Sequence, residues 1–206
     1  MVKTAVLVSG GGSNLQAVID ANIFGEIENF ELTAVISSNP EAYALRRAEF
    51  SKIPNYTVDL SIFPNNASFT EAILKKLRDL DIELVVMAGF TPELTSVFFE
   101  AYADRILTVF PSLVPMFEGE HDLRVHEKCI RRGVRITGAT SCLLSPGHMG
   151  GRIILQKAVS VLPGDTPETL QRRVMEEAEW DILPRSISLF CAGKLSGSGE
   201  AITVGE

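Results

Sequence analysis

The strongest constraint on this chain is a rhythm in which apolar runs of strand length alternate with longer stretches of helical period. The runs are Thr4 to Val8, Leu32 to Ser37, Tyr56 to Val58, Leu84 to Ala88 and Ile106 to Phe110. Helix-period segments between such runs serve as crossovers, so the pattern predicts βαβ units and a mainly parallel sheet. Glu41 to Phe50 follows Asn39-Pro40, a helix-start signal, and Phe69 to Leu80 carries Ile73, Leu74 and Leu77 on one face; both predict crossover helices. After Pro111 the pattern changes. A loop punctuated by Pro and Gly (Pro115 to Gly119) leads into a short helix from Leu123 to Arg132, then into extended stretches from Thr137 to Leu144 and Ile153 to Val161. That shift predicts an antiparallel extension of the same sheet. Gly164-Asp165-Thr166-Pro167-Glu168-Thr169 combines a polar N-cap, an early Pro and an acidic first turn, and opens a last helix expected to run to about Cys191 and end at Gly193.

The expected fold is therefore α/β, a Rossmann-like mainly parallel sheet with a C-terminal antiparallel extension. A chain of 206 residues at 46% hydrophobic can bury a full core, and lengths up to about 250 residues commonly form one domain. One domain over 1–206 is expected, its first half, 1–110, holding the βαβ units. A formal net charge of -7 and a pI near 5.1 offer no basic field for nucleic acid or an anionic membrane, so a small polar ligand is the expected partner. Cys129, Cys142 and Cys191 are odd in number and widely spaced, which suggests neither a disulfide framework nor a zinc site; no metal is expected. The first apolar run is too short for a signal peptide or a membrane span, and the cytoplasm is the expected compartment.

Gly10-Gly11-Gly12-Ser13-Asn14-Leu15-Gln16 follows the first strand and opens a helix from Leu15 to Ile23. In this setting glycines let backbone N–H groups approach a phosphate, and Ser13 and Asn14 add side-chain donors. The dinucleotide pattern fails because Leu15 stands at its third Gly, and the P-loop pattern fails because no Lys follows the last Gly. A site for one phosphate remains. The alternative is a tight turn with a Ser or Asn cap; its place at the carboxyl end of the first strand, where open α/β sheets bind ligands, favours phosphate.

Several ordered blocks carry a family likeness. Ser9-Gly10-Gly11-Gly12-Ser13-Asn14-Leu15-Gln16-Ala17, Ile36-Ser37-Ser38-Asn39, Ala88-Gly89-Phe90, Pro111-Ser112-Leu113-Val114-Pro115, Gly138-Ala139-Thr140, Ile153-Ile154-Leu155-Gln156 and Gly164-Asp165-Thr166 resemble glycinamide ribonucleotide formyltransferases over nearly the whole chain. The resemblance implies formyl transfer from 10-formyltetrahydrofolate, as co-substrate, to the amine of glycinamide ribonucleotide in purine synthesis. It implies that Gly11, Gly12, Ser13 and Asn14 hold the substrate phosphate, that Glu179 contacts the ribose, and that 111–206 forms the active-site and folate-side half.

The same likeness exposes departures. In Leu107-Thr108-Val109-Phe110-Pro111-Ser112-Leu113, Thr108 and Phe110 stand where the family has Asn and His, and Met149 stands where it has Asp. Formyl transfer builds an oxyanion and moves protons, which an Asn amide and an Asp-held imidazolium serve. Thr108 keeps one hydroxyl donor, whereas Phe110 cannot donate and Met149 cannot hold a cation. Where the family lines its pterin pocket with Ala-Gly-Phe-Met-Arg-Ile-Leu, this chain has Phe90-Thr91-Pro92-Glu93-Leu94 after Ala88-Gly89, and its following loop reads Ser145-Pro146-Gly147-His148-Met149-Gly150-Gly151-Arg152. Two readings follow: a formyltransferase with altered chemistry, or a catalytically silent relative that binds a phosphoribosyl ligand or a protein partner.

Other residues are candidates for the missing roles. His148, beside Met149, could carry protons from a shifted position; His121 is a loop residue and His126 matches a His of the family's short helix. Cys142 reads as a buried strand thiol without a paired base. Lys128, Arg131, Arg132 and Arg135 fit a helix C-terminus, and Met175 and Trp180 read as core residues of an acidic helix that includes Glu176 and Glu177.

Overall fold

The computed structural model describes residues 1–117, 123–146, 151–197 and 201–205. Seven strands form one sheet in the order β3-β2-β1-β4-β5-β6-β7. They are β1 (Val2–Val8), β2 (Phe30–Ser37), β3 (Asn55–Thr57), β4 (Leu84–Met87), β5 (Ile106–Phe110), β6 (Ile136–Leu144) and β7 (Arg152–Ser160). The first five pair in parallel, and β5, β6 and β7 pair antiparallel, as the change of pattern after Pro111 predicts. The sheet runs unbroken across residue 110, so the two halves share one sheet.

Alternating residues of the central strands feed opposite layers. Val6, Val8, Leu84 and Val86 face one layer with Leu15, Val18 and Ile19 of α1 (Ser13–Ile23), and Ala5, Leu7, Val85 and Ile106 face the other with Phe69, Ile73, Leu74 and Leu77. These last four lie on α3 (Asn66–Asp79), whose start is three residues earlier than the apolar pattern implies because Asn65 caps it through the Ser68 N–H. The second helix, α2 (Tyr43–Phe50), starts later than Glu41, since the Asn39 side chain takes the Glu41 N–H at 2.9 Å and holds Pro40-Glu41 in a turn. A six-residue helix, α4 (Ser96–Ala101), buries Phe98 in the same layer as α3; it is too short to leave a periodic signal. No helix among the described residues is long and apolar enough to cross a membrane.

In the C-terminal half α5 (Leu123–Arg131) packs on α6 (Pro167–Val174) over β6 and β7. The expected single last helix is interrupted. A π-helical turn, Met175–Glu179, separates α6 from α7 (Trp180–Cys191). One such turn adds a residue to the helical repeat and rotates everything after it, so Trp180 is 37% exposed rather than core; Met175, which opens the turn, is only partly buried. A short hairpin of β8 (Leu195–Ser196) and β9 (Thr203–Val204) follows.

The start of α6 is held by Asp165. Its carboxylate receives Arg173 Nη1 at 2.6 Å, the Leu162 N–H at 2.7 Å and Thr169 Oγ1 at 3.1 Å, and the Arg173 guanidinium keeps it well below the usual carboxylate range. A depressed carboxyl stabilises the fold above its unfolded pKa and loses that contribution as pH falls through the folded one. Asp165→Ala is expected to cost about 2–3 kcal/mol at pH 7 in urea denaturation, and the difference from the native chain should shrink below about pH 4.

Candidate functional site

Strand order reverses at β1, which has β2 on one side and β4 on the other. The carboxyl ends of β1 and β4 therefore bound a crevice of the kind in which open α/β sheets hold ligands. Hydrogen bonds knit these ends together. Ser9 N–H donates to the Gly89 carbonyl at 3.1 Å, Ser38 N–H to the Val8 carbonyl at 3.1 Å, and Thr91 N–H to Ser9 Oγ at 3.0 Å. The Ser9 and Ser38 hydroxyls lie 2.7 Å apart.

The glycine turn sits in this crevice. Gly12 has φ of 71°, and a Cβ there would lie 2.7 Å from the Ala44 Cβ, so both conformation and space demand glycine. It is the N-cap of α1, and no side chain caps that helix. Neither Ser13 nor Asn14 caps the helix, and the N–H groups of Gly11 and Gly12 donate to no described residue. Ser13 and Asn14 point instead at the π turn. Asn14 Nδ2 donates to Glu179 Oε2 at 2.7 Å, and Ser13 Oγ lies 3.7 Å from Met175 Sδ. Glu179 is 6% exposed; burial pushes its carboxyl up to about 7, with the Asn14 bond opposing. Asn14 Oδ1 is buried with no partner among the described residues. The structure therefore brings Gly11, Gly12, Ser13, Asn14 and Glu179 together, although 165 residues separate the last two.

At the end of β5 the geometry sharpens the departures. Thr108 is buried, and its hydroxyl donates to the Met87 carbonyl at 3.1 Å. The donor that the sequence credits to this position is spent inside the sheet. Phe110 is half-buried and lies opposite Thr140. Thr140 lies in one of the blocks that carry the family likeness, but its organising role shows only in the structure. Its hydroxyl donates to the Ser112 carbonyl at 2.7 Å and accepts from Val114 N–H and Gln156 Nε2, each at 3.0 Å. It thereby fixes the segment after Phe110 against β6 and β7. Met149, His148 and His121 lie outside the described residues.

In the loop after β4, Phe90 stacks on Phe69 at 6.3 Å and Leu94 packs on the α3 layer. Thr91 and Glu93 are exposed and Pro92 is half-buried. Nearby, the buried Arg152 pairs with Asp104, which also receives Ser145 Oγ at 2.6 Å. Both flanks of the loop between Ser145 and Arg152 are tied in this way to Asp104, two residues before β5.

The remaining candidates are structural. His126 is fully buried, its ring nitrogens find no partner among the described residues, and burial pushes it down to about 4, so it is neutral. Cys129, Cys142 and Cys191 are buried and form no disulfide. Arg132 lies over the Phe117 ring. Among the described residues no group of three His, Cys, Asp or Glu could hold a metal.

This layout, a glycine turn at the strand switch and a Pro-Ser-Leu segment leaving β5, defines a class. The chain belongs to the formyl transferase family, which it matches over residues 2–187. Within that family it is 36% identical to phosphoribosylglycinamide formyltransferase of Haemophilus influenzae over 195 residues, 95% of this chain and 90% of that protein. It is also 36% identical to the Trifunctional purine biosynthetic protein adenosine-3 of Homo sapiens over 191 residues, 93% of this chain but 18% of that longer protein. The crystal structure of glycinamide ribonucleotide transformylase 1 from Symbiobacterium toebii superposes with a TM-score of 0.94 at 35% identity, covering 100% of this chain and 95% of that one.

Glu179 makes a measurable prediction. A carboxyl raised in the fold stabilises it most below the unfolded pKa and loses that contribution as pH rises through about 7. Glu179→Gln removes the cost of ionising a buried group, so at pH 8 it should stabilise the chain by roughly 2–3 kcal/mol relative to native. At pH 4 the two should melt alike. Calorimetric melts at both pH values read the difference.

Proposed function

We propose that this protein binds glycinamide ribonucleotide as its relatives' names imply, and that its formyl transfer from 10-formyltetrahydrofolate is strongly reduced. The observation that carries the reading is the Thr108 hydroxyl donating to the Met87 carbonyl. With Phe110 beside it, the end of β5 offers neither an oxyanion donor nor a proton carrier.

On this reading the open N–H groups of Gly11, Gly12 and Ser13 hold the phosphate at the N-terminus of α1. Glu179 accepts from the ribose hydroxyls and Asn14 orients it. The amine is then presented towards the carboxyl end of β5. The folate side fits its co-substrate poorly: the Thr91 N–H is committed to Ser9 Oγ, Pro92 has no N–H, and Glu93 adds a carboxylate. We therefore derive no transfer step through the folate. Loss of an oxyanion donor costs about 2.7–4 kcal/mol and loss of acid-base assistance about 10²–10⁴-fold in rate, and the members of such a set do not simply add. The substrate is a soluble metabolite, and we assign the protein to the cytoplasm.

The expected result is glycinamide ribonucleotide binding by calorimetry together with formyl transfer at least about 10³-fold slower than that of the Haemophilus influenzae relative under the same conditions. Turnover at the relative's rate would sink the reading, and would point to a proton carrier such as His148. A combined Thr108→Asn, Phe110→His and Met149→Asp variant is expected to regain only part of the rate, because the 90–94 loop is also changed; full recovery would show that loop to be sound.

A further inference from the structure

The glycine turn is backed by a second helix. Ala44 N–H donates to the Gly10 carbonyl at 3.1 Å, and Arg47 Nε donates to the Gly11 carbonyl at 2.9 Å. In a planar trans peptide the N–H points away from its own carbonyl. Because α2 captures two successive carbonyls on one side, the N–H groups of Gly11 and Gly12 turn to the opposite side. Neither donates to any described residue. The helix thus presets a pair of donors suited to an anion.

Arg47 does more than hold a carbonyl. Its Nη1 donates to Gln16 Oε1 on α1 at 3.0 Å, and its guanidinium lies 5.1 Å from the centre of the Tyr43 ring. It forms no ion pair with a described residue; its neighbour Arg46 pairs with Glu49 and Lys75 with Asp79, each elsewhere. A half-buried cation with no carboxylate partner therefore stands directly behind the turn, fixed from α1, α2 and the ring. Burying a guanidinium against neutral acceptors leaves its charge uncompensated, and an anion in front of the turn would supply the compensation.

We infer that Arg47 is a positioning residue of the phosphate site, which aims the Gly11–Gly12 donors and supplies the positive charge that favours a dianionic phosphate over a neutral or singly charged group. It acts through the turn and makes no contact with the reacting atoms. This inference rests on the phosphate reading of the glycine turn.

The test uses ribose 5-phosphate, inorganic phosphate and ribose as ligands for the full chain in titration calorimetry. Arg47→Gln keeps a donor for the Gly11 carbonyl and removes the charge; Arg47→Lys keeps the charge. Arg47→Gln is expected to bind ribose 5-phosphate about 10-fold more weakly, the effect of one charge at the edge of solvent, and Arg47→Lys to stay within about 3-fold of native. In a Glu179→Gln background, which removes the carboxyl that titrates at about 7 beside the turn, affinity should rise with pH through the second phosphate ionisation at about 6, and the rise should flatten when Arg47→Gln is added. The inference is overturned if Arg47→Gln binds ribose 5-phosphate as tightly as native, or if both variants weaken it equally, which would leave only a packing role. A flat pH profile in the Glu179→Gln background overturns it without recourse to an Arg47 variant. If the native chain binds neither ribose 5-phosphate nor inorganic phosphate, or binds ribose as tightly as ribose 5-phosphate, the phosphate reading itself falls.

Discussion

Everything at the site hangs from the end of β1. This strand is buried on both faces and flanked by two parallel neighbours, so its exit has only one way out, through the crevice between β2 and β4. Ser9 stands at that exit and joins the Gly89 carbonyl, the Ser38 hydroxyl and the Thr91 N–H. The glycine turn, the loop after β4 and the end of β2 are therefore one hydrogen-bonded unit. A change at any of these positions is felt at the other two.

Against that frame, the differences from the family's pattern are unevenly distributed. The turn keeps its left-handed Gly12 against Ala44, and its partner Glu179 is delivered by a π turn that breaks the last helix. A π turn weakens local hydrogen bonding and commonly marks a functional position; here it carries a buried carboxylate to within 2.7 Å of Asn14. Around β5 the opposite holds. Thr108 turns inward, Phe110 is aromatic, and the Arg152–Asp104 pair ties down the flanks of the next loop. Polar groups at the glycine turn stay directed at one another and at the π turn, while those around β5 are taken up by the sheet and its loops.

The legibility of the chain followed the range of its interactions. Buried parallel strands read as continuous apolar runs, so β1, β2, β4 and β5 were visible with errors of one or two residues, and the antiparallel turn of the sheet announced itself after Pro111. The six residues of α4 span fewer than two turns and leave no period. The π turn was invisible because helical periodicity before and after it looks regular, and Trp180 was misplaced as a consequence. Thr140, Arg47 and Ser9 carry their roles through bonds to carbonyls and hydroxyls on distant segments, which no local pattern encodes.

By itself the sequence determined the α/β class, the glycine turn and the family, because apolar periodicity and glycine conformation are local properties written residue by residue. It also placed Thr108, Phe110 and Met149 in the chain, since side-chain identity needs no structure. Only the tertiary structure decided where the surviving polar groups point. Thr108 and Thr91 are donors on paper, yet the sheet and Ser9 take both. Arg47 is an ordinary helix cation until α2 docks behind the turn. The physical reason is that a hydrogen bond's direction is set by the packing of whole elements, and that packing is shared by residues far apart in the chain.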